Sequence, residues 1–225
     1  MTGFFNPTYI IAVLIAISVH EWAHAFTADR FGDPTPGNAG RLTLNPLAHL
    51  DPIGAIMFLV IGFGWAKPVP VNSSYFRHPK RELSLVALAG PFSNLILAFI
   101  AYVILFFLSG SAGISLGGLL SNTAGPSVAM TIVIQILRGS LFVNLALMSF
   151  NLLPIAPLDG SNIVRVFIPA SLEDRYDSFT RIGPFILIAL ILLDSFLPIP
   201  VISTWVFGIM QAVLNGFQQI GHLFL

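Results

Sequence analysis

The chain contains no cysteine, so disulfide bonds, thiolate metal ligands and a cysteine nucleophile are excluded. Charge is also scarce: 9% of the 225 residues are Asp, Glu, Lys or Arg, whereas 56% are hydrophobic. Because soluble globular domains carry about 25% charged residues, this composition indicates an integral membrane protein in a lipid bilayer. The formal net charge is zero, so we expect no nucleic-acid partner.

Apolar runs long enough to cross a bilayer as helices alternate with polar segments rich in proline and glycine. The long runs cover residues 7–28, 82–108, 127–153 and 181–200, and a moderately apolar tail follows. A shorter run at 52–66 predicts a partial dip into the membrane, and the alternating residues behind it predict a small membrane-associated β-hairpin. We therefore expect one all-α polytopic membrane domain, residues 1–225, with about five to six membrane segments besides the hairpin.

The distribution of Lys and Arg predicts the orientation of the chain. The loop at 109–126 contains neither, whereas basic residues crowd the loops before and after it along the chain. Since basic loops favour the cytoplasm, we expect a multi-pass cell-membrane protein with an external N-terminus. The basic loop residues are Arg30, Arg41, Lys67, Arg77, Lys80, Arg81, Arg165, Arg175 and Arg181. Arg138, in the middle of the third long run, does not fit this distribution.

Three ionisable residues lie inside the first apolar run, in the sequence His20-Glu21-Trp22-Ala23-His24. Residues four apart share one face of a helix, so His20 and His24 can bind one metal ion together. Glu21 is then placed to take a proton from a metal-bound water. The alternative is a pair of buried, hydrogen-bonded histidines, but ionisable groups within a membrane span are costly and usually functional.

A catalytic zinc ion needs a third protein ligand, and its identity stays open on spacing alone. Asp159 follows a segment in which Pro154 and Pro157 forbid a continuous helix, at the end of an apolar run. Irregular backbone at membrane depth lines a cavity or is buried in protein, so Asp159 could point inward. It could equally cap the helix that follows. The remaining histidines are expected to be structural or solvated: His49, His78 and His222.

These motifs together resemble the site-2 protease family of intramembrane zinc metalloproteases. The histidine motif is followed by Asn151-x-x-Pro154-x-x-x-x-Asp159-Gly160, and the segments "AGPFSN" and "GRLTLNPLAHLDPIG" also resemble compact prokaryotic members. The resemblance covers residues 7–168 and leaves helices at about 175–225 unconstrained; no stretch is long and polar enough for the PDZ or CBS domain of larger members. It implies Asp159 as the third ligand of one zinc ion, Glu21 as the catalytic base and Asn151 as a group holding the scissile carbonyl.

Two further features suggest contacts with a substrate. Asn94 follows Gly90-Pro91, which should kink its helix, and a polar group at membrane depth needs a partner. It could orient the Asn151 loop or a substrate, or simply join helices. The segment at 67–71 carries two prolines on one strand edge, and the other edge, Lys67, Val69 and Val71, keeps its N–H donors for an unwound substrate. An ordinary hairpin with an edge blunted by proline is the alternative.

The leading functional hypothesis is therefore an intramembrane zinc endopeptidase that cleaves peptide bonds in or near transmembrane segments of membrane proteins. Its site is expected nearer the cytoplasmic side, because His24 is close to Arg30. A metal-binding transporter or channel is the first alternative, although the spans offer few further ionisable groups for an ion path. A catalytically inactive binding relative is the second, although all the motif residues are present. The sequence does not indicate an oligomeric state.

Overall fold

The computed structural model describes residues 6–61, 64–112, 116–121, 127–196 and 200–222. Within these ranges the chain forms ten α-helices joined by loops and short 3₁₀ turns. The helices are α1 (Pro7–Arg30), α2 (Thr35–Asn38), α3 (Pro46–His49), α4 (Pro52–Ile61), α5 (Pro79–Ala112), α6 (Leu116–Ser121), α7 (Val128–Asn151), α8 (Asp159–Arg165), α9 (Glu173–Leu193) and α10 (Val201–His222). The 3₁₀ turns are Ser73–Tyr75, Ala170–Leu172 and Asp194–Phe196.

Four of the described helical segments are long and apolar enough to cross a membrane: Pro7–Arg30, Pro79–Ser109, Val128–Asn151 and Ala170–Leu193. They correspond to the four long apolar runs of the sequence. The last begins earlier than predicted, since α9 starts with two acidic residues that favour a helix N-terminus. The short α4 would extend only about 15 Å, half of a bilayer core of about 30 Å. Whether α4 and α10 add membrane segments stays a prediction.

The β-hairpin is not confirmed. Among the described residues, extended pairing is limited to an isolated antiparallel bridge between Leu50 and Ala66. Next to this bridge, the backbone N–H of Lys67 donates to the carbonyl of His49 at 2.8 Å. Arg41, which is buried, donates to the carbonyl of Lys67 at 3.2 Å. The segment after α4 is thus held against α3 by single contacts and not by a strand ladder.

Helices α1, α5 and α7 pack against one another and form the centre of the molecule. Small residues bring α1 and α7 close: Ala12 and Ala16 are fully buried, and a Cβ on Gly139 would lie 3.3 Å from the Cβ of Ala12. Such small side chains are typical of helix contacts in membranes. Because α8 packs on α5, residues from both halves of the chain meet beside α1.

Candidate metal centre

His20 and His24 lie on one face of α1, and both side chains are buried. Their spacing of one helical turn brings their Nε2 atoms to 3.0 Å from each other. The helix is anchored at its start by Asn6, whose side chain accepts a hydrogen bond from the backbone N–H of Thr8. The predicted pairing of the two histidines is therefore present.

Asp159 reaches the same place from the other half of the chain. The backbone turns sharply after α7, and a Cβ on Gly160 would lie 2.3 Å from the carbonyl oxygen of Leu153 and 2.5 Å from that of Leu152. Only glycine fits this turn, which directs the first residue of α8 toward α1. The capping position of α8 is occupied by Leu158 and not by Asp159. The carboxylate is thus available to the histidines, as the inward-pointing alternative requires.

The three donor atoms have the spacing that a metal ion requires. The Oδ2 atom of Asp159 lies 3.3 Å from the Nε2 atom of His20 and 3.3 Å from that of His24. A tetrahedral zinc ion with bonds of about 2.0–2.1 Å would hold its ligand atoms about 3.3 Å apart. The same Oδ2 atom is buried and has no hydrogen-bond partner among the described residues. Two imidazoles and a carboxylate are also a donor set that zinc accepts, so these residues fit one zinc ion.

The second nitrogen of each ring is held by α5. Nδ1 of His24 donates to the backbone carbonyl of Val86 at 2.7 Å, which leaves the lone pair of this ring on Nε2. Nδ1 of His20 lies 2.6 Å from Oδ1 of Asn94, a fully buried side chain. Such contacts orient metal-binding imidazoles and select the nitrogen that binds.

Gly90 provides the space beside the two rings. A Cβ at this position would lie 2.4 Å from Nε2 of His24 and 2.6 Å from Cε1 of His20. Any larger residue would therefore enter the space where the donor atoms meet. Pro91 follows inside α5 and lacks the N–H that would bond to the carbonyl of Ala87, yet α5 continues through this position.

Polar contacts fasten α8 and α9 to the start of α5. The hydroxyl of Ser84 donates to the carbonyl of Asn162 at 2.6 Å. Glu173 accepts from Nζ of Lys80 at 2.7 Å and from Nε of Arg165 at 3.0 Å. Because Asp159 begins α8, these contacts also hold the third donor against the histidines.

The two predicted catalytic residues are Glu21 and Asn151. Each lies near a donor residue in the sequence, but neither forms a hydrogen bond with a donor atom in the structure. Glu21 is half-buried beside His20, and its carboxylate makes no hydrogen bond or ion pair with any described residue. Asn151 ends α7 with a half-buried side chain, whose Nδ2 donates to the carbonyl of Leu147 at 3.0 Å. The roles of both residues stay predictions.

The residues predicted to contact a substrate differ in their surroundings. Asn94 is fully buried and its side chain contacts His20, and its role toward a substrate stays a prediction. The N–H of Lys67 is occupied by His49, whereas those of Val69 and Val71 make no hydrogen bond within the described part of the chain.

The remaining histidines are not brought to the donor atoms. His49 is fully buried, and its Nε2 donates to the carbonyl of Thr43 at 2.8 Å. His78 is exposed, and the side chain of His222 lies outside the described ones. Sequence reasoning missed Gly90 as a spacer and Val86 as an acceptor; the only signal was the Gly-Pro pair, which predicted a kink.

Three buried donor atoms between apolar helices define a membrane metalloprotein with the ligand set of a catalytic zinc site. A family model described as "Peptidase family M50" matches residues 8–193. The chain therefore belongs to peptidase family M50, the site-2 protease family, and is a zinc metallopeptidase by family.

Two similar proteins are named putative zinc metalloproteases. The chain is 37% identical over 216 residues to a Bacillus subtilis (strain 168) protein named "Putative zinc metalloprotease YwhC". The matched region covers 95% of this chain and 94% of that protein. It is 29% identical over 203 residues to a Mycobacterium tuberculosis (strain ATCC 25618 / H37Rv) protein named "Putative zinc metalloprotease Rip2". Here the matched region covers 87% of this chain and 68% of that protein. No solved structure matches the chain.

Proposed function

We propose that this protein is an intramembrane zinc endopeptidase that hydrolyses peptide bonds in or near transmembrane segments of membrane-protein substrates. One observation carries the proposal: His20, His24 and Asp159 meet with buried donor atoms beside α1, a helix long and apolar enough to cross the membrane. Glu21 lies on the same helix between the two histidines. A carboxylate at this position can serve as the general base of peptide hydrolysis, and simple metal storage needs no such group.

The chemistry assigned to the chain is the addition of water to a peptide carbonyl. When bound, zinc supplies a Lewis acid and lowers the pKa of water. Glu21 accepts the proton of the attacking water and returns it to the nitrogen of the leaving amine. Asn151 donates a hydrogen bond to the scissile carbonyl, for which its Nδ2 exchanges the bond to Leu147 for one to the substrate. One such donor is typically worth about 10²–10³ in rate.

The site is proposed to open toward the cytoplasm. At 1.5 Å per residue, Glu21 lies about 14 Å from the end of α1 that carries Arg30. The starts of α5 and α9 and the loop after α7 lie at this same end, together with most of the basic residues. Because the chain lacks cysteine, single cysteines report sidedness cleanly. We expect Asp29→Cys to label from the cytoplasm and Val128→Cys, at the start of α7, from outside; the reverse pattern would contradict the orientation.

The segment after α4 is proposed to dock the unwound substrate. A substrate strand pairing with the free N–H groups of Val69 and Val71 would present its backbone in the extended form that proteolysis requires. Val69→Pro removes one donor, while Val69→Ala keeps it. We expect Val69→Pro alone to raise the KM for a transmembrane substrate. Equal kinetics for the two variants would rule out docking at this residue.

The two alternatives make different predictions. A transporter would carry zinc into proteoliposomes. It would cleave no substrate, either as the wild type or as Glu21→Gln. An inactive binding relative would hold zinc and bind membrane proteins without cutting them. The spans contain few ionisable groups beyond those already described, which disfavours an ion path.

The decisive experiment measures zinc content and cleavage of a transmembrane substrate for the wild type, Glu21→Gln and Asp159→Asn in detergent. We expect one zinc per wild-type chain together with cleavage, zinc without cleavage in Glu21→Gln, and neither in Asp159→Asn. If Glu21→Gln cleaves as the wild type does, the proposed mechanism is wrong. If the wild type holds zinc but cuts only soluble peptides, the intramembrane substrate class is wrong.

A further inference from the structure

A line of buried hydrogen bonds connects His20 to α7 through two asparagines. Asn94, on α5, approaches Nδ1 of His20 with its Oδ1 atom at 2.6 Å. Its Nδ2 donates to Oδ1 of Asn144 at 2.7 Å, and Nδ2 of Asn144 donates to the backbone carbonyl of Ser140 at 2.7 Å. Both asparagine side chains are completely buried. Three helices are thus joined by one polar line that ends on a proposed metal ligand.

The direction of this line is fixed at its far end. The carbonyl of Ser140 can only accept a hydrogen bond, so Asn144 must turn its NH₂ group toward Ser140 and its Oδ1 toward Asn94. Asn94 must then present its NH₂ group to Asn144, and the carbonyl of Ala16, at 3.3 Å, favours the same orientation. Oδ1 of Asn94 is left for His20. An acceptor at Nδ1 keeps the ring proton there and the lone pair on Nε2.

We propose that Asn94 and Asn144 are positioning residues that hold His20 as an Nε2 ligand, and that Asn144 acts on the metal centre only through Asn94. The inference rests on the proposed function, in which His20 binds zinc. It assigns Asn94 to the orientation of a ligand instead of to a substrate. It also gives α7 a role at the metal centre, which the long stretch of sequence between His20 and α7 does not indicate.

The competing interpretation is that the two asparagines only join the helices. In that case their replacement lowers the stability of the fold, and the zinc affinity of the folded protein stays unchanged. The effects of two separate helix contacts would also add together. Zinc affinity of folded protein therefore separates the two interpretations, and it does not depend on any measurement of proteolysis.

The test measures zinc affinity by competition with a chromophoric chelator in detergent. The variants are Asn94→Leu, Asn144→Leu and the double variant, since leucine resembles asparagine in size but forms no hydrogen bond. Loss of a partner to a metal-binding histidine typically costs about 10–100-fold in affinity, which we expect for Asn94→Leu. We expect a loss on the order of tenfold for Asn144→Leu, at the lower end of this range. The double variant should bind no more weakly than Asn94→Leu.

Two further variants serve as a rescue and as a control for Asn144→Leu. A buried, protonated aspartate at 144 accepts from Asn94 through its carbonyl oxygen and donates to Ser140 through its O–H group. We therefore expect Asn144→Asp to restore most of the affinity that Asn144→Leu loses. Ser149→Ala is the matched control on α7, because Ser149 is fully buried and its hydroxyl has no partner among the described residues. If Asn144→Leu does not fold, Asn144→Ser, whose hydroxyl is too short to reach Asn94, replaces it.

The outcomes separate this inference from the function on which it rests. Wild-type affinity in Asn144→Leu, or additive losses in the double variant, would overturn the positioning role while leaving the peptidase proposal intact. A wild-type protein that binds no zinc would overturn both. Weakened binding in Asn144→Leu, rescue by Asn144→Asp and no further loss in the double variant would establish it.

Discussion

The α-carbon of Gly90 faces the imidazole of His24 so closely that an added Cβ would lie 2.4 Å from Nε2. The nitrogen concerned is the one that also lies 3.3 Å from the carboxylate of Asp159. One hydrogen atom of a glycine therefore borders the point where the three donor atoms meet. The backbone of α5 is at once the wall of the metal centre and, through Val86, the partner of the same ring.

Gly90→Ala should prevent zinc binding. The new methyl group would displace one or both histidine rings, and the contact of His24 with the rigid backbone at Val86 leaves little room for adjustment. We expect zinc content near zero in a protein that still folds, because alanine favours a helix more than glycine does. Gly216→Ala is the control, since nothing lies within 4 Å of the Cβ that it adds. Full zinc occupancy in Gly90→Ala would contradict the close contact.

Removal of zinc should destabilise the wild type but not Asp159→Asn. A ligand that binds only the folded chain adds about 2.7 kcal/mol at a concentration of 100 times its Kd. A chelator should therefore lower the melting temperature of the wild type in detergent. Asp159→Asn lacks the charged ligand, so chelator should leave its melting temperature unchanged. Asp29→Asn, an exposed acid at the end of α1, should keep the sensitivity of the wild type; a variant at 159 that still responds would argue against this carboxylate as a ligand.

Glu173→Gln should loosen the attachment of α8 and α9 to α5. Glu173 joins Lys80 and Arg165, and such partly exposed ion pairs contribute little to stability individually because water screens them. We expect a small loss of stability in the variant, and we expect the stability of the wild type to approach that of the variant at high salt because salt screens the pairs. Asp174→Asn removes the neighbouring exposed charge at the same helix start and leaves the ion pairs of Glu173 in place, so its effect should be smaller. Identical salt dependence in all three proteins would show that the network contributes nothing.

Asp194 should make the junction between α9 and α10 sensitive to acid. The hydroxyl of Ser203 donates to Asp194 at 2.5 Å, and the N–H of Ile202 donates at 2.8 Å. These hydrogen bonds, first that of the Ser203 hydroxyl, hold the pKa of the carboxyl below its ordinary value. The stabilisation is complete above about pH 3.9, the value of an unfolded aspartate, and is lost as the pH falls through the lowered folded value.

Thermal unfolding of the wild type and Asp194→Asn as a function of pH tests this. The difference in stability between the two should be largest near neutral pH and should shrink on acidification. Asp51→Asn is a useful comparison, because Asp51 accepts from the N–H of Gly54 at a different helix start. A difference between the wild type and Asp194→Asn that does not depend on pH would exclude the charge of Asp194 as the cause.

The parts of the site that follow a local rule could be predicted from the sequence. His20 and His24 obey the period of a single helix, and their meeting needs no knowledge of the rest of the fold. Asp159 could not be assigned in this way, since spacing alone left a helix cap as an equal alternative. The resemblance to a family favours the ligand role, and the turn at Gly160 supplies a physical reason for the inward direction of Asp159.

The remaining features depend on how helices cross, which the sequence does not encode locally. Asn94 was expected to need a partner, but its contacts with His20 and Asn144 require three helices to be in place. The sequence around Gly90 predicts only a kink, because nothing in its neighbourhood along the chain indicates that two histidines approach it. The hairpin is not confirmed for a related reason: an alternating pattern predicts a strand, yet its pairing requires a neighbouring strand that the described residues do not supply.

The order of the donor residues along the chain also determines when the metal site can be completed during synthesis. Chains are made from the N-terminus, so His20 and His24 enter the membrane long before Asp159 has been synthesised. An emerging chain first carries two of the three donor residues, and the side chains of α5 and α7 that we propose to orient them are synthesised later, one helix after the other. Under the proposed function, the metal site is complete only after Asp159 has left the ribosome, so a chain still being synthesised would lack the third zinc ligand and with it the means to hydrolyse a neighbouring protein.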